Sequence, residues 1–81
     1  MQIKSKLAIS SSGFVFDPTT GDSYSLNPIG AEIANLIKEE KQEEEIKYHI
    51  LEIYDIDEAT FEKDFYDFKN AMIQFNLLED E

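Results

Sequence analysis

The sequence predicts an α+β domain in which a three-stranded antiparallel sheet is followed by three helices. Two patterns carry this prediction: apolar residues alternate with polar ones between turn-forming clusters up to Leu26, and from Asn27 onward they recur every three or four positions. Length and composition set the scale. The chain has 81 residues, 42% of them hydrophobic and 12% aromatic, with 3 Gly and 2 Pro, so it holds one small domain over residues 1–81 that should fold despite a formal charge of -11. A chain this short buries only about 60% of its unfolded surface, which points to a superficial ligand site rather than a deep catalytic cavity.

The first strand is expected over Lys4–Ser10, with Ile3, Ser5, Leu7 and Ile9 on one side, and Ser10-Ser11-Ser12-Gly13 supplies turn chemistry. Phe14-Val15-Phe16 is a β-branched and aromatic run. It leads into Asp17-Pro18-Thr19-Thr20-Gly21-Asp22, where Asp at the first turn position, Pro at the second and Gly at a left-handed position predict a type I turn with a bulge. The return strand, Asp22 to Leu26, puts Tyr24 and Leu26 on one face and Ser23 and Ser25 on the other.

Asn27 is a good N-cap and Pro28 suits the first helical position, so the first helix starts there and runs to about Lys38. Ile29, Ile33, Leu36 and Ile37 form its apolar stripe, and Gly30 and Ala34 a small-residue face. Glu43-Glu44-Glu45 favours the N-terminus of a second helix, with Ile46, Ile50 and Ile53 facing inward and an end near Tyr54. Asp57 caps the third, with Ile56 and Phe61 placed as a hydrophobic staple. Phe61, Phe65, Phe68, Met72 and Phe75 follow as an aromatic seam, Asn76 is a left-handed terminator, and Leu77-Leu78 packs before the acidic end.

The charge is unevenly placed. Residues 1–38 are neutral, with three lysines against three acids, whereas the last 43 residues carry fifteen acids against four lysines. With no Arg and an acidic helical half, the chain is a poor match for nucleic acid. The acids are read as a solvated helix surface. Cysteine is absent, which removes disulfides and thiolate chemistry and agrees with a cytoplasmic location. No stretch reaches the ~18 apolar residues of a membrane span, and the N-terminus lacks the apolar core of a signal peptide.

Catalytic and metal-binding patterns are missing as well. The single imidazole, His49, has no partners at metal or catalytic spacing and is read as a partly buried structural residue beside the second-helix stripe. Asp55-Ile56-Asp57-Glu58 resembles the start of a calcium loop but has Thr60 and Tyr66 where Gly and Glu are required. Asp22-Ser23 falls in a hairpin strand, not at the helix start that an acyl carrier uses. The feature left to explain is an open edge in a three-stranded meander.

The run Phe14-Val15-Phe16-Asp17-Pro18 continuing through Gly21-Asp22-Ser23-Tyr24-Ser25-Leu26-Asn27-Pro28-Ile29-Gly30-Ala31-Glu32-Ile33 resembles the PqqD-like family, peptide chaperones also called recognition elements of ribosomally made, modified peptides. Asp64 and Phe68, four residues apart, and the closing pair Leu77 and Leu78 match it too, so the resemblance spans roughly residues 7–78. Gln42 stands where that family usually opens the second helix with Ser or Thr, and Asn76 where it usually has Gly.

This resemblance implies a winged-helix-turn-helix-like, noncatalytic domain without a cofactor. It would bind the leader of a precursor peptide and present it to a modifying enzyme such as a radical SAM protein, an ATP-grasp ligase or a kinase-related protein. An open sheet edge suits that task by strand addition. The backbone of Ser23, Tyr24, Ser25 and Leu26 is expected to pair with the leader, whose side chains would lie in a groove against the third helix. There the candidates are Phe65 and Met72 from the seam and Tyr66, Lys69 and Ile73 from its flank, the rest of the seam being core. Two alternatives stand beside this reading. A winged helix-turn-helix DNA-binding regulator would need a basic recognition helix, and a structural subunit would pair its open edge with a second copy in a homodimer.

Overall fold

A computed structural model describes residues 1–79; the acidic end at 80–81 lies outside them. The chain opens on a clasp instead of the long strand expected over Lys4–Ser10. Ile3 forms an isolated antiparallel bridge with Leu78, and the Lys4 amide donates to the Leu77 carbonyl at 3.0 Å. A turn then closes from the Leu7 amide to the Lys4 carbonyl, leaving strand β1 only Ala8–Ile9. This turn lets Ile3 and Leu7 reach the core from either side of an exposed Ser5.

Strand β2 is Phe14–Phe16 and β3 is Ser23–Ser25, and the sheet order is β1-β2-β3, antiparallel throughout. Both turns need glycine. Gly13 has φ 99°, and a Cβ there would lie 2.7 Å from the Leu26 carbonyl oxygen. Gly21 has φ 80°, the left-handed position expected of it, and donates to the Asp17 carbonyl at 2.8 Å, closing a turn one residue wider than the type I turn that the sequence predicts. Val15, opposite Ile9 and Tyr24, points into the core, while Phe14 and Phe16 point out of the sheet at 62% and 45% exposure.

Helix α1 spans Pro28–Lys38, α2 Glu43–Ile53 and α3 Glu58–Gln74. Each start has a local cause. The Asn27 side chain accepts from the Gly30 amide at 2.7 Å and Asp57 from the Thr60 amide at 2.8 Å, as their sequence positions require. At α2 the Gln42 amide donates to the Glu45 carboxylate at 3.1 Å, the half of a capping box that the third helical residue supplies whatever residue stands at the cap. Asn76, at φ 57°, ends α3 in the left-handed conformation. Glu40, at φ 65°, does the same for α1, with Lys41 N–H donating to the Leu36 carbonyl.

The core joins the sheet's inner face to all three helices through Val15, Ile33, Ile46, Ile50, Met72 and Leu77, each at most 2% exposed. Three expectations need correction. Ile53 is 52% exposed because Leu51 and Tyr54, both partly buried, cover the core from the end of α2. Phe75 leaves the seam at 44% exposure, since α3 has ended and its ring meets Tyr24 instead. His49 is exposed, lying toward α1 with Nε2 3.2 Å from a Glu32 carboxylate oxygen.

Candidate functional site: a free strand edge and its groove

The sheet has two edges, and among the described residues only one is free. Beside β1, two side chains of α1 bond to the backbone: Lys38 Nζ donates to the Leu7 carbonyl at 3.2 Å, and Asn35 Nδ2 reaches the Ser10 carbonyl at 3.4 Å. With only two residues of strand between them, this edge is blunted.

The β3 edge is different, and the register shows which groups it offers. Asp17 and Asp22 face each other across the hairpin, as do Gly13 and Leu26, and both pairs are hydrogen-bonded. Because bonded pairs alternate with unbonded ones in an antiparallel ladder, Val15 and Tyr24 form the bonded pair between them. Ser23 and Ser25 therefore turn their N–H and C=O groups away from β2. Of the four residues expected to pair with a strand, these two turn their backbone outward, while Tyr24 is bonded to Val15 and the Leu26 N–H to the Gly13 carbonyl.

Next to this edge lies a groove of about 220 Å³. Ser25, Leu26, Asn27, Ile29 and Gly30 form one wall; Asp64, Asp67, Phe68 and Ala71 form the other. Beyond the groove the Tyr24 ring sits 4.7 Å from that of Phe75, so the chain from Tyr24 to Gly30 passes from the end of α3 toward its middle. Tyr24 thereby turns into the sheet–helix junction and ties β3 to α3.

The helix residues expected beside β3 divide between the core and the other flank of α3. Residues 64, 67, 68 and 71 recur at helical spacing on the flank that faces β3; Tyr66, Lys69 and Ile73 lie on the opposite flank. Tyr66 and Lys69 line a separate cavity of about 340 Å³ with Glu43, Glu44 and Lys47 of α2, and the Lys69 ammonium stands 5.9 Å over the Phe65 ring. Tyr66 and Ile73 are exposed, at 65% and 62%, but away from the strand edge. Met72, 1% exposed, and Phe65, 5%, belong to the core that fixes the helix, so neither offers a surface to a peptide in the groove. On α3, none of the groove residues is among those expected to touch a peptide: Phe68 belongs to the predicted seam and to the family pattern, Asp64 matches that pattern, and Asp67 and Ala71 stand out in neither.

Electrostatics fix the hairpin that carries β3. Asp17 is the one buried polar residue of the core among the described residues; its carboxylate accepts from the Thr19 amide at 2.9 Å and lies 3.7 Å from Lys6 Nζ. Burial opposes its charge, but the Thr19 amide, the Lys6 ammonium and the Thr20 amide outweigh that and hold the carboxyl below its ordinary value of 3.8. A depressed carboxyl stabilises the fold above its unfolded value, and that stabilisation is lost as pH falls through the folded value. Urea unfolding of the wild type and Asp17→Asn should therefore differ most near neutral pH and converge below pH 3.8. A gap that stays constant into acid would show that the charge is irrelevant there.

The exposed surface of α3 is acidic. Glu58, Glu62, Asp64 and Asp67 outnumber Lys63 and Lys69, and Lys63 is already paired with Asp67 at 3.2 Å. Such a helix repels phosphate. Among the described residues no group of acids and His is placed to hold a metal ion, and no helix is long and apolar enough to cross a membrane.

A three-stranded sheet with one free edge, backed by three helices and flanked by a groove, has the geometry to which an extended peptide can add as a further strand. The model of the family described as Coenzyme PQQ synthesis protein D (PqqD) matches residues 13–78, and the chain belongs to the PqqD family. The solved structure of TbiB1 in complex with the TbiA(beta) leader peptide is similar over 100% of this chain and 98% of that one, with 31% identity and a TM-score of 0.83. No curated protein matches the chain.

Proposed function

We propose that this chain is a noncatalytic peptide chaperone that binds the leader of a ribosomally made precursor and presents it to a modifying enzyme. The observation that carries this reading is the pair of outward backbone sites at Ser23 and Ser25 beside the groove of α3. An extended leader pairs with these groups as a fourth strand, and its alternate side chains enter the groove, the backbone supplying affinity and the groove specificity. The likeness to TbiB1, whose structure contains a leader peptide, supports a leader as the ligand. The enzyme served is of the radical SAM, ATP-grasp or kinase-related kind that works with such domains.

Titrating isotope-labelled protein with the leader segment of a candidate precursor peptide tests the reading. Amide shifts are expected at Ser23 and Ser25 and along Asp64, Asp67 and Ala71. Shifts confined to α2 would remove the strand edge from consideration, and a sedimentation change without peptide would point to pairing of two copies through the same edge.

A further inference from the structure

The groove beside β3 is apolar below and acidic along its rim. Its deepest lining is apolar, with Phe68 5% exposed on one wall and Leu26 and Ile29 partly buried on the other. Asp64 and Asp67 stand on the α3 wall one helical turn apart. Their surroundings differ. Asp67, exposed, is bridged by Lys63 from the same helix, whereas half-buried Asp64 has no ion-pair or hydrogen-bond partner among the described residues. The strand wall opposite, Ser25 to Gly30, contains no charged residue that could supply one.

We propose that the groove selects a cationic strand: a leader segment carrying a Lys or Arg that pairs with Asp64 and Asp67, next to an apolar side chain that rests on Leu26 and Phe68. This rests on the reading of the β3 edge as the leader site and adds to it the chemistry of the occupant. Strand addition places alternate side chains of the peptide on the groove side. A long basic side chain can lay its methylenes on the apolar lining and carry its charge to the rim. A neutral or acidic side chain there would leave the partly desolvated Asp64 unpaired or repelled. Lys63 bridges Asp67 from the solvent side with both partners exposed, a weak pair that an incoming cation can replace.

The test is a selection of displayed random dodecapeptides against the full-length chain, followed by affinity measurement on the enriched peptides. Enriched peptides should shift the Ser23 and Ser25 amides and carry Lys or Arg within two positions of an apolar residue. They should bind the double variant Asp64→Asn/Asp67→Asn about tenfold more weakly. Because a chain of charge -11 attracts cations everywhere, Glu43→Gln/Glu44→Gln removes the same charge at the start of α2 and should change affinity less than about twofold. Equal losses in both double variants would reduce the effect to general attraction and overturn the proposal. Peptides that shift the β3 amides without a basic residue overturn it too, while leaving leader binding at that edge intact. A selection in which no peptide reaches β3 overturns both.

Discussion

Leader affinity is expected to fall tenfold or more in Ser25→Pro while the domain stays folded. The N–H of Ser25 points to the open edge, so proline removes a donor that the sheet itself does not use. The β2–β3 ladder keeps its bonds through Tyr24 and Leu26. An incoming strand, by contrast, loses one hydrogen bond and meets the pyrrolidine ring where its own backbone must approach. A lost bond is worth about 1 kcal/mol, and the steric conflict adds to it, which together exceed the 1.4 kcal/mol of a tenfold change. Ser25→Ala should bind normally, because the side chain projects from the outer face beside Phe14. Circular dichroism would verify the fold and fluorescence anisotropy the affinity; full binding by Ser25→Pro would mean that the leader docks elsewhere.

The second large effect is on stability. Met72 is 1% exposed, and Met72→Ala should destabilise the domain by about 2–5 kcal/mol, the range for emptying a large buried side chain. A small domain with a single core has roughly 3–5 kcal/mol in all, so this variant should be largely unfolded at 37 °C. Met72→Leu keeps the volume and should lose less than about 1.5 kcal/mol while binding leader as the wild type does. Urea unfolding checks the first statement and peptide titration the second. A stable Met72→Leu protein that no longer bound leader would return Met72 to the binding surface.

The elements whose causes are local could be read directly from the chain. Asn27-Pro28, Asp57 and Asn76 mark helix ends through backbone groups only a few residues away, and Asp17 through Gly21 encode their turn in the same way. The free edge was foreseeable too, because a meander of three strands leaves one wherever its other edge is covered. The choice between the flanks of α3 was not. Periodicity separates 64, 67 and 71 from 66, 69 and 73, but it cannot say which set turns toward β3. That depends on how the helices pack on the sheet, and the exposed Tyr66 and Ile73 are equally compatible with either side. Phe75 misled for a related reason: it keeps the helical spacing of the seam, yet α3 stops one residue earlier and the ring turns to Tyr24. Register supplied the remaining detail, since alternation of bonded pairs cannot be assigned before the strands are aligned.

The clasp between the two ends of the chain bears on how such a domain can be joined to others. Ile3 bridges Leu78, and the Glu79 amide donates to the Gln2 carbonyl at 2.8 Å, so the described ends leave the fold side by side. Met1 and Gln2 also lie with Lys69, on the flank of α3 away from the groove. A partner polypeptide attached at either end, or a host loop into which the whole unit is spliced, would start from that side and leave the β3 edge uncovered. Gln2 and Glu79 thus form a single junction, so that a polypeptide joined at one of them would start beside the other.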